Sequence, residues 1–491
     1  MTRSKGTLLC VSVTTSTVEE TLEVLHAPGR AFDVAELRLD YIQSPDLPRL
    51  LEGRPCPVIA TCRPTREGGR WTGDEGRRLE LLAEADRLGA DYVDIELDAL
   101  PYYHRQGRAR LLVSYHNFDG TPGDLQAIAR RIEATDADVV KLATMATSLA
   151  DNLAAFEVLR NAAKPTICVT MGEHGHVSRV LGPKFGAFLV FASLASGREA
   201  APGQVPVDEL LGLYRFRSIG PATKVYGVIA NPVAHSMSPA IHNAAFAETG
   251  LNAVYLPFRV DDPAAFVPAF QALPIDGYSV TIPHKEAVIP LLDEVQPLAA
   301  KIGAVNTIVR RDGALHGSNT DWSAAVAAIE SGLPEGVVLE GKSVLLLGAG
   351  GAARAIAFGL AERGCRVVIA NRTHERGVRL AEEVGCSCVH LDDVATVPYN
   401  ILVNGTSVGM HPNVDAIPID PDLLLPETLV FDSVYNPLET RLLAEARARG
   451  CRTVDGLAMF VNQAVAQFEL WTRHPAPRAA MRAVVEERLR P

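Results

Sequence analysis

Hydrophobic residues in the first 216 positions form eight short apolar runs, separated by polar or amphipathic segments. The runs are TLLCVSVT (7–14), VAELRLD (34–40), PVIATCR (57–63), YVDIEL (92–97), LLVSYHN (111–117), VVKLAT (139–144), TICVTM (166–171) and LVFASL (189–194). The segment EGRRLELLAEADRLGA (75–90) carries leucines at helical spacing. Nearly continuous apolar runs are typical of parallel strands covered on both faces. Eight such strands alternating with helices predict a (β/α)8 TIM barrel.

Polar residues in these runs gather towards the C-terminal ends. They are Glu36, Arg38 and Asp40 in the second run, Arg63 in the third, Glu96 in the fourth and His116 in the fifth. In a barrel of parallel strands these ends converge on one mouth, where active sites lie. Polar residues also end strands without any function, but so many on neighbouring strands favour a shared site.

Lys141 lies inside the sixth run, between Val140 and Leu142, where a buried charge is costly. Such a lysine reaches the surface, pairs with a carboxylate or loses its proton. A neutral lysine amine attacks carbonyl groups, so the last alternative indicates catalysis. The residues alone leave the three alternatives open.

A second α/β region follows a junction near 214–224 and begins with the strand VYGVIA (225–230). Further predicted strands are SVLLL (343–347), RVVIAN (366–371), NILVN (400–404) and LVFDSV (429–434), and predicted helices cover 374–384, 456–474 and 476–490. The region therefore predicts further α/β architecture ending in two helices.

The stretch LLLGAGGAARA (345–355) links a predicted strand to a predicted helix. Gly348, Gly350 and Ala353 match the G-x-G-x-x-G/A fingerprint, in which backbone approaches a pyrophosphate at the helix N-terminus. This context favours a dinucleotide site over a structural glycine turn. The candidate cofactor residues at the turn are Gly348, Ala349, Gly350, Gly351 and Ala352.

The next strand ends in Asn371, Arg372 and Thr373, where NAD-binding proteins usually carry an acidic residue. An arginine suits a 2′-phosphate instead, so we expect NADP as the cofactor. One arginine only biases this preference, and NAD use stays open.

Composition limits the other classes of function. The net charge of −11 argues against a general binder of nucleic acid or of anionic membranes. No apolar run approaches the length of a membrane span, and the start lacks a signal-peptide pattern, so we expect a cytoplasmic protein. The eight cysteines are scattered along the chain, so we expect reduced thiols. The EHGH stretch (173–176) lacks the further ligands of a metal site, so no metal is expected. Oligomer formation is left open.

Residues 225–491 resemble the shikimate dehydrogenases. The motifs that carry the resemblance are NPVAHSMSPAIHN (231–243), SVTIPHK (279–285), GAVNTI (303–308), GSNTD (317–321), GAGGAAR (348–354), NRT (371–373), VNGTSVGM (403–410) and DSVYNP (432–437). The resemblance implies that Lys285 and Asp321 form a catalytic dyad. It also implies that Ser236 and Ser238 hold the substrate carboxylate, while Thr281, Asn306 and Gln463 contact its hydroxyl groups.

The first 215 residues resemble the type I 3-dehydroquinate dehydratases. The matching positions are Glu36, Arg38, Arg63, Glu67, His116, Lys141, Met171, Arg179 and Gln204. The resemblance implies that Lys141 forms a Schiff base with 3-dehydroquinate, that His116 is the general acid and base, and that Glu67 orients His116. Arg179 and Arg63 would bind the substrate. We expect the apolar interior and nearby arginines to favour the neutral amine of Lys141.

Together the two resemblances imply consecutive reactions, with 3-dehydroshikimate made in the barrel and reduced to shikimate in the second half. The implied segments are 1–217 (dehydratase barrel), 222–323 (substrate-binding α/β domain), 324–455 (Rossmann NADP domain) and 456–491 (helices packing back on the substrate domain). Ala200, Ser279 and Trp322 depart from the usual patterns, which leaves quinate as an alternative substrate of the dehydrogenase half.

A metabolite-sensing regulator built from inactive copies of these domains is the other alternative. It predicts the loss of catalytic residues together with a basic DNA-binding segment. Lys141, His116, Lys285 and Asp321 are all present, and the chain is acidic. The sequence therefore favours an enzyme.

Overall fold

The structure is a computed structural model that describes residues 6–490 apart from residues 235, 272 and 274. Residue 235 belongs to the 231–243 motif, so that position of the motif lies outside the described residues. The chain divides into two compact units, Met1–Val225 with Asn252–Pro274 and Tyr226–Leu251 with Ile275–Pro491. Over the described ranges, no helix has the length and apolar character needed to cross a membrane.

The first sheet has eight parallel strands in the order β7-β6-β5-β4-β3-β2-β1-β8. They are β1 (Leu8–Val13), β2 (Val34–Arg38), β3 (Val58–Thr61), β4 (Tyr92–Glu96), β5 (Arg110–Asn117), β6 (Val139–Met145), β7 (Thr166–Met171) and β8 (Leu189–Ala192). The two strands at the ends of this order, β7 and β8, are also joined. The N–H of Phe188, directly before β8, donates to the Thr166 carbonyl of β7 at 2.8 Å. The predicted barrel and all eight of its strands are confirmed.

Seven α-helices accompany these strands. They are α1 (Val18–His26), α2 (Leu47–Leu51), α3 (Glu75–Arg87), α4 (Leu125–Glu133), α5 (Asp151–Asn161), α6 (His176–Leu181) and α7 (Val207–Gly212). The helix predicted over 75–90 is α3, which begins where the Asp74 side chain accepts the Arg77 N–H at 3.0 Å. Between β4 and β5 the chain forms only a short 3₁₀ turn, Leu100–Tyr102, which contains Pro101.

The barrel interior is layered because alternate residues of a strand face the same side. One buried apolar cluster takes residues from all eight strands: Cys10, Val34, Ile59, Tyr92, Leu112, Val139, Ile167, Leu189 and Phe191. In six of these strands, the residue two positions after the apolar one is polar. These polar residues are Ser12, Glu36, Thr61, Asp94, Ser114 and Lys141. The barrel interior therefore has an apolar layer and, closer to the C-terminal ends of the strands, a polar layer.

The second sheet is mixed, with six strands in the order β10-β9-β11-β13-β14-β12. They are β9 (Lys224–Ala230), β10 (Ala253–Arg259), β11 (Ile275–Val280), β12 (Glu294–Val295), β13 (Thr307–Arg311) and β14 (Ala314–Ser318). The accompanying helices are α8 (Ser238–Glu248), α9 (Pro263–Phe270) and α10 (Pro297–Ile302).

The third sheet is parallel, with six strands in the order β17-β16-β15-β18-β19-β20. They are β15 (Ser343–Leu347), β16 (Arg366–Asn371), β17 (Ser387–His390), β18 (Ile401–Asn404), β19 (Leu429–Asp432) and β20 (Arg452–Val454). This is the strand order of a Rossmann fold. The remaining helices are α11 (Asp321–Gly332), α12 (Gly351–Glu362), α13 (His374–Val384), α14 (Arg441–Ala448), α15 (Gly456–Thr472) and α16 (Arg478–Leu489).

Helix α15 returns to the second sheet. The Trp471 indole N–H donates to the Ile308 carbonyl of β13 at 3.0 Å, and its ring stacks on Tyr226 of β9 at 5.3 Å. These contacts bring the end of the chain beside the strands that carry the second group of predicted site residues.

Candidate active sites

A cavity opens above the polar layer of the barrel. Its walls include all nine predicted residues of this half: Glu36, Arg38, Arg63, Glu67, His116, Lys141, Met171, Arg179 and Gln204. Residues that sequence reasoning did not place there include Ser12, Phe118, Phe191 and Ala201. The structure therefore brings the predicted set together at the mouth of the barrel.

Lys141 is 6% exposed and pairs with carboxylates. Its Nζ lies 2.8 Å from Asp94 Oδ2 and 3.4 Å from Glu36 Oε1, and 4.3 Å from the centroid of the Phe191 ring. Of the three alternatives for this lysine, the structure shows ion pairing. That the apolar interior and nearby arginines favour the neutral amine stays a prediction, and the charged groups that contact Nζ are these two carboxylates.

Asp94 was missed by the sequence reasoning. It also contacts Arg63 Nη2 at 2.6 Å and accepts the Ser114 hydroxyl at 2.6 Å. Burial raises the pKa of Asp94, but the charges of Arg63 and Lys141 outweigh burial and hold the pKa well below its usual range. A signal was present, because Asp94 lies two residues before Glu96 and therefore on the same face of β4.

Arg63 is committed to neighbouring carboxylates. Besides Asp94, it contacts Glu96 Oε1 at 2.6 Å and lies 3.7 Å from Glu67 Oε2. Arg38 is held similarly by Asp40, with two hydrogen bonds of 2.9 and 2.7 Å. Both of these arginines of the cavity wall are therefore already paired with carboxylates.

His116 and Glu67 form a hydrogen-bonded pair, with Nδ1 2.9 Å from Oε2. Burial, then the charges of Arg63 and Lys141, lower the pKa of His116 well below its usual value. Burial raises the pKa of Glu67 to about 8, against the opposing charge of Arg63. Both shifts favour the uncharged forms, so a neutral imidazole is available to accept a proton.

Arg179 is the buried cation of the wall with spare hydrogen-bond donors. It is 1% exposed, its Nη2 donates to the Pro202 carbonyl at 3.2 Å, and its buried Nε has no hydrogen-bond partner among the described residues. Burial lowers the pKa of Arg179 to about 10. A buried guanidinium with free N–H groups in a cavity wall is suited to bind an anion such as a carboxylate.

The second predicted site centres on Lys285, whose Nζ lies 2.6 Å from Asp321 Oδ2. Asp321 is the first residue of α11, and its Oδ1 accepts the Asn306 amide at 2.8 Å. Thr281 directly follows β11, and its carbonyl accepts the His284 N–H at 2.9 Å. Lys285, Asp321 and Asn306 therefore form one hydrogen-bonded group.

The contacts of three other predicted residues differ. The Ser238 N–H, at the start of α8, donates to Ser236 Oγ at 3.2 Å. Gln463 lies on α15, where its carbonyl accepts the Thr320 hydroxyl at 3.4 Å, one residue before Asp321. The serines pair with each other, whereas Gln463 joins the lysine–aspartate group through Thr320.

The turn after β15 fits a dinucleotide. Gly348 has φ +108°, and a Cβ there would lie 2.7 Å from Thr406 Cγ2, so glycine is required. Gly350 precedes α12 without a side-chain cap, and added Cβ atoms at Gly350 and Gly351 would meet nothing within 4 Å. The helix N-terminus therefore has open space before it, as a pyrophosphate requires.

The end of β16 fits the 2′-phosphate of NADP. The Asn371 amide donates to the Thr373 carbonyl at 2.7 Å, which fixes the turn. Arg372 and Thr373 are exposed on that turn. A cation therefore stands where an NAD site has a carboxylate.

A lysine-centred barrel cavity and a lysine–aspartate site beside a dinucleotide fold define an enzyme with two catalytic centres. Family profiles match four segments: type I 3-dehydroquinase (residues 9–221), shikimate dehydrogenase substrate binding domain (228–308), shikimate / quinate 5-dehydrogenase (333–409) and shikimate 5′-dehydrogenase C-terminal domain (456–486). The chain belongs to the family of bifunctional 3-dehydroquinate dehydratase/shikimate dehydrogenases. It is a lyase and an NADP-dependent oxidoreductase, and neither quinate preference nor a regulatory role is favoured.

Three similar proteins support this assignment. The chloroplastic bifunctional 3-dehydroquinate dehydratase/shikimate dehydrogenase of Arabidopsis thaliana is 44% identical over 96% of this chain and 83% of its own length. The NADP(+) shikimate dehydrogenase of Moorella thermoacetica is 46% identical over 54% of this chain and 94% of its own. The crystal structure of Thermus thermophilus shikimate 5-dehydrogenase with NADP(H) and shikimate has TM-score 0.50 and 37% identity, covering 54% of this chain and 99% of that one.

Proposed function

We propose that the predicted residues of each site carry its reaction in the roles that follow. The observation on which this rests is the convergence of nine predicted residues, with Lys141 between two carboxylates, on one cavity.

In the barrel, Lys141 Nζ gives up a proton, adds to the ketone carbon of 3-dehydroquinate and expels water to form an iminium. The iminium withdraws electrons, so the adjacent C–H becomes acidic. His116 removes that proton and delivers one to the departing hydroxyl group, while Glu67 fixes the imidazole through Nδ1. Water then hydrolyses the iminium and frees Lys141 and 3-dehydroshikimate.

Asp94 and Glu36 balance the positive charge on the Lys141 nitrogen, which is present both in the ammonium and in the iminium. Because the carboxylates lie 2.8 and 3.4 Å from Nζ, the charge on this nitrogen is balanced at both stages. Arg179 binds the substrate carboxylate with its unpaired N–H groups. Arg38, Met171 and Gln204 complete the walls that orient the ring.

In the second half, Lys285 donates a proton to the carbonyl oxygen of 3-dehydroshikimate as that oxygen becomes an alkoxide, and Asp321 orients Lys285. NADPH supplies the hydride when it is bound. Ser236 and Ser238 would hold the substrate carboxylate, and Thr281, Asn306 and Gln463 would face its hydroxyl groups. Gly348, Ala349, Gly350, Gly351 and Ala352 would line the pyrophosphate, with Asn371, Arg372 and Thr373 around the 2′-phosphate.

The domain boundaries 1–217, 222–323, 324–455 and 456–491 remain our proposal. The sheet boundaries support it, because the barrel strands end at Ala192, the mixed sheet spans Lys224–Ser318 and the parallel sheet spans Ser343–Val454. The contacts of Trp471 with Ile308 and Tyr226 support packing of the last helices on the substrate domain.

A cytoplasmic location also remains a proposal. All eight cysteines are free thiols, which suits a reducing compartment. Cell fractionation would test it, since the Arabidopsis relative is named as chloroplastic.

Borohydride trapping tests the dehydratase assignment. Sodium borohydride added during turnover of 3-dehydroquinate should reduce the iminium to a stable secondary amine on Lys141, which peptide mass spectrometry would locate. Lys164→Ala, a matched change of a lysine that donates to the Thr135 carbonyl, should still be labelled at Lys141. Labelling that persists in Lys141→Ala, or that occurs on another lysine, would contradict the role of Lys141.

A further inference from the structure

Gln467 lies in the middle of α15 and is 1% exposed, yet neither proposed reaction uses it. Its Nε2 lies 3.2 Å from the Asn306 carbonyl oxygen and 3.1 Å from Thr307 Oγ1. Because a carbonyl oxygen only accepts hydrogen bonds, the atom that faces it must be the amide nitrogen. Both hydrogens of the Gln467 amide are therefore directed at the start of β13.

The contacts of Asn306 fix its own amide in the same way. Its Oδ1 accepts the Thr320 N–H at 2.7 Å and the Thr307 hydroxyl at 2.8 Å. Its Nδ2 must therefore face Asp321 Oδ1 at 2.8 Å and Thr320 Oγ1 at 3.0 Å. All donors and acceptors of this side chain are engaged, and one of its two hydrogens orients the Asp321 carboxylate.

A directed path of hydrogen bonds thus runs from Gln467 through Thr307 and Asn306 to Asp321, whose other oxygen holds Lys285 at 2.6 Å. Thr307 is fully buried, and Asn306, Thr320 and Asp321 are at most 9% exposed. Bulk water therefore has little access with which to replace a lost contact, and buried networks of this kind lock side-chain geometry. The orientation of the Asp321 carboxylate is therefore linked to Gln467 through hydrogen bonds.

We propose that Gln467 is a positioning residue of the dehydrogenase, which holds Thr307 and Asn306 so that the Asp321 carboxylate stays aimed at Lys285. The inference rests on the proposed roles of Lys285 and Asp321. Attachment of α15 to the sheet is a separate matter, because Trp471 already ties the helix to the Ile308 carbonyl one turn later. A role in attachment and a role in positioning can therefore be separated by experiment.

The test compares Gln467→Glu with Trp471→Phe in the full chain. Glutamate has nearly the shape of glutamine, but when ionised it cannot donate to the Asn306 carbonyl. We expect Gln467→Glu to lower kcat for 3-dehydroshikimate reduction on the order of tenfold to a hundredfold at alkaline pH, with recovery as pH falls and the carboxyl regains its proton. The KM for NADPH should be unchanged, and Trp471→Phe should keep the wild-type kcat and pH profile.

Thr307 supplies a second pair of variants with a conservative member. Thr307→Ser keeps the hydroxyl and should retain the wild-type kcat, whereas Thr307→Val removes it and should lower kcat. Dehydration of 3-dehydroquinate by the same chains provides an internal control on protein concentration, and NADPH binding shows that the dinucleotide domain is folded.

Three results would overturn the proposal. These are a wild-type pH profile in Gln467→Glu, an equal loss of kcat in Trp471→Phe, and a rise in substrate KM with no change in kcat. Failure of the underlying assignment gives a different result, because Asp321→Asn and Lys285→Ala would then both keep full reductase activity.

Discussion

Each half of the chain pairs a lysine with an aspartate, but the two pairs differ in burial and in partners. Lys141 is 6% exposed and lies between Asp94 and Glu36, with Arg63 bound to the same Asp94. The Lys285 side chain is 25% exposed and contacts Asp321 alone among carboxylates of the described residues. A lysine that forms a covalent bond to substrate carries its charge through several steps, so a dense set of buried counter-charges suits Lys141. A proton donor needs only one partner and access to the substrate oxygen.

The largest difference is expected when each lysine is removed. Lys141→Ala eliminates the proposed nucleophile, so dehydration of 3-dehydroquinate should fall by about 10⁴ or more, while reduction of 3-dehydroshikimate is unchanged. Lys285→Ala removes a general acid, which is worth roughly 10²–10⁴ in rate. Steady-state kinetics of both reactions on both variants would measure this. Equal losses of both activities in either variant would contradict two independent sites.

The next largest difference is expected between substitutions of Asp94 and Asp321, chiefly in the stability of the protein. Asp94→Asn leaves Arg63 and Lys141 short of a counter-charge in the interior, so the free energy of unfolding should fall by about 3–5 kcal/mol. Asp321→Asn disturbs a more exposed pair and should cost about 1–2 kcal/mol, while lowering reductase kcat. Chemical denaturation followed by each activity would compare them. A milder effect of Asp94→Asn would show that the barrel network is not tightly coupled.

The pH dependence of stability should also distinguish the regions. Burial raises the pKa of Glu67 from 4.5 to about 8 and that of Asp432, in the Rossmann domain, from 3.8 to about 6. When the pKa of a carboxyl group is higher in the folded state than in the unfolded state, its contribution to the free energy of unfolding is fully present below the unfolded-state pKa. That contribution is lost as pH rises through the folded-state pKa. The Glu67 contribution should therefore disappear between about pH 4.5 and 8, and the Asp432 contribution between about pH 3.8 and 6.

Glu67→Gln and Asp432→Asn remove these titrations, so each variant should lose the dependence in its own pH range. Thermal unfolding across the two ranges would show it. If both variants keep the wild-type dependence, other groups control it.

The smallest effect concerns cofactor choice. Arg372→Ala removes the exposed cation at the end of β16, so the KM for NADPH should rise about tenfold while that for NADH changes little. Arg366→Ala, which changes an exposed arginine at the opposite end of β16, serves as the matched comparison. An equal rise for both cofactors would place Arg372 away from the 2′-phosphate.

The repeating pattern of the chain predicted the eight barrel strands and the core of the Rossmann sheet because burial on both faces leaves long apolar runs. It did not predict β10, β13, β14, β17 or β20. It also missed β12, which has two residues, and β11, which contains Asp276 and Gly277. Such strands carry too few apolar residues to stand out. Their pairing depends on neighbours distant in the chain.

The members of the sites were predictable, but their partners were not. The resemblance placed Lys141, His116 and Glu67, and the structure brought them into one cavity. Asp94 and Lys141 come from β4 and β6, which are not adjacent strands, so only closure of the barrel brings them within 2.8 Å. Gln467 similarly lies about 160 residues from its partners, and no local pattern indicates such a contact.

The central claim is that both sites work in series in one chain, and one assay tests it directly. Purified protein would be mixed with 3-dehydroquinate and NADPH, and loss of the reduced cofactor followed over time. The account predicts a lag while 3-dehydroshikimate accumulates, then steady NADPH consumption, with Lys141→Ala inactive unless 3-dehydroshikimate is supplied. No consumption by the wild type with either substrate would contradict it.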